Sequence, residues 1–128
     1  MYRNVARIFF VLLIAGGLAA CRTAPVYNVE NALFTKEAPS VTAASDMIKA
    51  AGASLGWQMA DDGPGHIVGR LPIRTHLAVI DITFDTTRYS IMYKDSNNLK
   101  YDGTQIHSNY NGWIQNLQNA ITARSSVY

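Results

Sequence analysis

At 128 residues the chain is long enough for one small domain and too short for two of ordinary size. A single cysteine excludes an internal disulfide, so the core alone must stabilise the fold. Eleven basic residues face nine acidic ones, but Arg3 and Arg7 lie at the extreme N-terminus, and without them the balance is even. This argues against nucleic acid as a partner and against electrostatic steering of an acidic substrate.

Arg3 and Arg7 precede a short apolar run, residues 8–15, and then the small-residue stretch Gly16–Cys21. An apolar run of that length falls well short of the roughly 20 residues of a spanning helix, so the layout predicts an export signal. Leu18-Ala19-Ala20-Cys21 resembles the lipobox of a bacterial lipoprotein signal. The resemblance implies a signal peptide over 1–20 and a mature chain beginning at Cys21. That cysteine would carry covalent diacylglycerol and an N-acyl chain and anchor the protein to a lipid membrane, since several acyl chains hold far more firmly than one. Arg22, in place of an aspartate after the cysteine, resembles lipoproteins released to the outer membrane.

Residues 21–39 read as a lipidated N-terminus and tether: prolines stand at both ends and no period is sustained. Val26, Tyr27, Val29, Leu33 and Phe34 are more apolar than a spacer requires, so docking of part of this segment on the domain is an open alternative. A small domain is expected over 40–128. Its first helix is predicted over Thr42–Leu55, where Ala44, Met47, Ile48, Ala51 and Leu55 form one stripe of 3.6-residue period. Ser40 or Thr42 would cap its start, and Gly52 or Gly56 would end it.

Asp61-Asp62-Gly63-Pro64-Gly65 predicts a turn. The short strand His66–Leu71 follows, closed or marked as an edge by Pro72, with Ile67 and Leu71 inward and Val68 and Arg70 outward. In His76–Asp95 the residues Ala78, Ile80, Ile82 and Phe84 share one parity, and after a polar break so do Tyr89, Ile91 and Tyr93. Two period-2 runs across a short break predict an antiparallel hairpin. Its outward parity holds Val79, Asp81, Thr83, Arg88, Ser90, Met92 and Lys94. A polar loop is expected over Asp95–Gln105, then a last helix from an N-cap at Ser108, with Tyr110, Trp113, Ile114, Leu117 and Ile121 on its buried stripe. The expected fold class is α+β: a three-stranded antiparallel meander with two helices packed on one face, in the order helix-strand-strand-strand-helix.

Chemistry is sparsely signalled. His66, His76 and His107 form no HExxH pattern or close pair, and no glycine-rich phosphate loop is present. Asp61 and Asp62 fall short of the oxygen set of a hard cation and read as solvated turn residues. No catalytic residue, cofactor site or metal site is therefore assigned. The expected interaction surface comprises Val68, Val79 and Met92 on the sheet's second face, together with Trp57, which reads first as a core plug and alternatively as a rim tryptophan able to anchor a glycan or peptide.

The combination of Gly56-Trp57, the stretch Tyr93–Leu99 and Tyr110-Asn111-Gly112-Trp113 resembles a family of small lipoproteins of Gram-negative bacteria. The likeness covers roughly Thr42 to Ile121 and brings no catalytic residues with it. It implies a non-catalytic module at the periplasmic face of the outer membrane that binds an envelope protein or peptidoglycan. A small periplasmic hydrolase or metal-dependent enzyme is the alternative, to be told apart by a concave site of convergent polar groups.

Overall fold

The computed structural model describes residues 22–127. Cys21, and with it the lipidation site, lies outside the described residues. The order is β1 (Thr23–Pro25), β2 (Val29–Leu33), α1 (Val41–Ser54), β3 (Gln58–Asp61), β4 (His66–Ile73), β5 (His76–Phe84), β6 (Arg88–Asn97), β7 (Gln105–His107) and α2 (Ser108–Arg124). A five-stranded antiparallel sheet runs β2-β6-β5-β4-β3, and β1 pairs with β7 as a separate two-stranded ribbon. The expected three-stranded meander is thus too small: β4, β5 and β6 form the middle of a larger sheet, and the element order is not helix-strand-strand-strand-helix.

The additional strands have a common cause. β3 and β7 are too short for alternation to show, and each forms against an edge supplied by another strand, the longer β4 for β3 and the equally short β1 for β7. β1 and β2 come from the segment expected to be a tether. In β2 a register shift between Val29 and Ala32, with Asn31 at φ 52°, interrupts the alternation that identifies a strand in sequence. Phe34 then stacks on Tyr89 with ring centroids 5.2 Å apart. The Tyr27 amide donates to Asn111 Oδ1 (2.9 Å), and the Tyr27 hydroxyl donates to Gln118 Oε1 (2.6 Å). This docking buries Val29 and Phe34 and partly covers Val26 and Tyr27, whereas Leu33 stays 63% exposed.

Ser40 caps α1, its hydroxyl accepting from the Ala43 amide at 3.0 Å. A Cβ on Gly52 would overlap the Met59 side chain of β3, which packs against the helix at this point. His107 caps α2, one residue before the serine expected there, its Nδ1 accepting from the Asn109 amide. The buried stripe of α1, the inward parity of β4, β5 and β6, and Tyr110, Ile114, Leu117 and Ile121 of α2 form one cluster with Val29, Phe34 and Ile106. Pro72 lies inside β4 but beyond the end of β3, so its missing N–H removes no bond from that ladder.

Candidate functional site

The sheet face turned away from this cluster carries the outward parity. Register sets Val68 of β4, Asp81 of β5 and Met92 of β6 in one row across three strands, with His66, Thr83 and Ser90 in the next. Val68 and Met92 are half-buried, as are His66 and Asp81. The His66 Nε2–H donates to Asp81 Oδ1 at 2.6 Å, and Lys94 Nζ approaches the same oxygen at 3.3 Å. The other imidazole nitrogen lies 3.4 Å from Asp62 Oδ2. Lys94 shares the outward parity of Met92, and the ladder shifts register beside it: Val79 opposes Asp95 while Ile80 opposes Tyr93, so Lys94 is the extra residue.

Two apolar side chains therefore flank a buttressed charge cluster in the middle of the open face. Both ring nitrogens of His66 face carboxylates, so neither is directed at a nucleophile, and the Ser90 hydroxyl instead accepts the Asn31 amide at 2.9 Å.

Two residues expected on the interaction surface are placed elsewhere. Val79 is only 3% exposed. It points to the second face, but β5 is the central strand of five, and neighbours on both sides, Arg70 and Asp95 by register, enclose it. Trp57 is 4% exposed and belongs to the core cluster, so it is a core plug and not a rim anchor. Val68 and Met92 alone remain of that set.

Asp61, weighed for hard-cation binding, has both oxygens engaged. The Ser45 hydroxyl donates to Oδ1 and Lys49 Nζ to Oδ2, each at 2.9 Å. The bond from Lys49 holds the Asp61 carboxyl below its ordinary range, and the same bond raises Lys49. A cationic Lys49 beside Ser45 has no lone pair with which to take the serine's proton. The open cleft beside them, about 460 Å³ and also lined by Asp46, Gly65 and Phe84, thus contains a closed ion-pair network. Among the described residues no group of three or more His, Cys, Asp or Glu is placed to hold a metal ion.

No family model, curated protein or solved structure matches the chain. The reading of function therefore rests on the residues themselves.

The last feature was missed in the sequence. Trp113, expected on the buried stripe of α2, is only partly covered and shares a small apolar pocket with Leu55, Trp57, Leu71, Ile73 and Asn116. Leu55 is 40% exposed and Ile73 36%. Each stands at the end of an element, Leu55 capping α1 and Ile73 closing β4, and periodicity does not tell where a stripe leaves the core. Next to it, His76 Nδ1 meets the Asn98 carbonyl at 2.6 Å. Deeper in, Tyr110 is fully enclosed and its hydroxyl has no partner among the described residues, so burial pushes the phenol pKa up.

Proposed function

We propose that the chain is a non-catalytic, lipid-anchored module of the bacterial envelope, facing the periplasm from the outer membrane and binding a protein or peptidoglycan partner through the open face of its sheet. The observation that carries the binding reading is the half-buried row Val68–Asp81–Met92, with His66 and Lys94 fixing the central carboxylate. A face meant only for water has less reason to hold a valine and a methionine around a positioned charge. An obligate interface is more apolar than this one, so the contact suits reversible binding. The anchor and the location rest on Leu18–Cys21 and Arg22, and the proposed kinship with small Gram-negative lipoproteins rests on the motifs quoted above.

Photo-crosslinking in intact cells tests the reading. A photoreactive residue in place of Met92 is expected to capture a discrete envelope partner, and one in place of the exposed Gln115 on α2 is not. Val68→Ser should weaken the Met92 crosslink while leaving the melting temperature within a few degrees. Equal labelling from both positions, or none from Met92, would sink the assignment of this face.

A further inference from the structure

If Cys21 carries the acyl chains, the fold leaves almost no tether. β1 starts at Thr23, two residues on, and two extended residues reach at most about 7 Å. Thr23 pairs with His107, the His107 ring lies 6.4 Å from His76, and His76 lies 6.4 Å from Trp113. The exposed Leu55 and Ile73 line the pocket shared with Trp113. The start of the domain, a partly exposed tryptophan and two exposed aliphatic side chains therefore occupy one end of the molecule. Arg22 and Arg74 are exposed at the same end and enter no ion pair among the described residues. Arg74 occupies the tight turn between β4 and β5 at φ 55°, a conformation that favours glycine or asparagine.

Resting on the lipid-anchor reading above, we infer that this end is a membrane seat: Leu55, Ile73 and Trp113 lie in the headgroup–acyl boundary of a phospholipid leaflet, with Arg22 and Arg74 at the phosphates. Three arguments converge on a bilayer rather than a protein. The anchor sulfur is fixed at the leaflet surface, and the interfacial zone is roughly 5–8 Å deep on each side, comparable to the reach of the two linking residues. Tryptophan with aliphatic neighbours and a basic rim is the composition that partitions to that zone. The short link also keeps the patch at high effective concentration against the lipid, so a surface too small to bind a membrane alone stays seated. A fixed seat orients the domain, holding the end of α2 away from the bilayer: the helix runs 17 residues from His107, about 25 Å.

The full-length protein, processed in a bacterial host and reconstituted in phosphatidylethanolamine/phosphatidylglycerol vesicles, provides the test. Once Cys21 is consumed by lipid, an introduced thiol is unique, so Ile73→Cys and, at the opposite end, Val127→Cys each take one environment-sensitive fluorophore. Leu55→Cys is the second probe should Ile73→Cys fail to fold. Acyl-brominated lipid is expected to quench the label at 73 or 55 severalfold more strongly than the label at 127. Intact mass of the mature chain separates the two claims. A lipidated, vesicle-bound protein with equal or absent quenching at the two ends keeps the anchor and overturns the seat, leaving the patch to a protein partner. An unmodified Cys21 overturns both.

Discussion

Asp85 and Asp102 show how single side chains build this protein's turns. Asp85 Oδ1 accepts the amides of Thr87 at 2.7 Å and Arg88 at 2.9 Å, closing the β5–β6 hairpin. Asp102 Oδ1 accepts those of Gln105 at 2.7 Å and Thr104 at 2.9 Å, ahead of β7. These backbone bonds hold both carboxyls below their ordinary range, led by Thr87 for Asp85 and Gln105 for Asp102. A carboxyl whose folded pKa lies below its unfolded value, about 3.9, stabilises the fold above that pH and loses the contribution as pH falls through the folded pKa. Asp61 has the same sign. The melting temperature should therefore decline as pH drops below about 4, and an Asp85→Asn, Asp102→Asn double variant should show a shallower decline. An acid limb as steep as that of the parent would show that other groups govern it. An Asx turn is a local interaction and so lies within reach of sequence reading, whereas the contact of His66 with Asp81 joins two strands and does not.

At the scale of elements, the segment 22–39 departs most from expectation. A spacer tolerates truncation of its apolar side chains, whereas a strand that covers an edge does not. Phe34 is 6% exposed, stacks on Tyr89 and donates its amide to the Thr87 carbonyl at 3.0 Å. Phe34→Ala should cost about 3–5 kcal/mol of stability, the range for removing a buried aromatic from a core. Urea unfolding measures it, and a loss below about 1 kcal/mol would return the segment to the status of a surface tether. The two helices were readable because their stripes recur over several turns and so survive small errors of phase. β2, with its register shift, and the three-residue β1 and β7 are too brief or too irregular for a period to emerge.

For the molecule as a whole, the two sheet faces are separate problems. One is sealed by both helices; the other is open except at its centre. Substituting Val79 and Met92 separately distinguishes packing from recognition on that second face. Val79→Ser should cost about 2–3 kcal/mol, because it removes a buried valine and leaves a hydroxyl in its place. Met92→Ser should stay within about 1 kcal/mol of the parent and reveal itself in partner capture. Denaturant midpoints with unchanged slopes would measure the difference, and equal costs at the two positions would show that the open face is covered alike throughout.

The sequence by itself determined the two helices with their buried stripes, the β5–β6 hairpin with its inward parity, and the chemical layout of the first 21 residues. All of these are periodic or local patterns, in which the deciding interactions join residues close in the chain. Only the tertiary structure decided that β1 and β2 join the fold, that Val79 and Trp57 are enclosed, and that His66, Asp81 and Lys94 meet. It also brought Leu55, Ile73 and Trp113 to the end where the chain enters the domain. Each of these outcomes depends on which strand lies beside which and on how many neighbours a strand acquires. Such pairings are set by long-range hydrogen bonding and burial, and no single stretch of the chain encodes them.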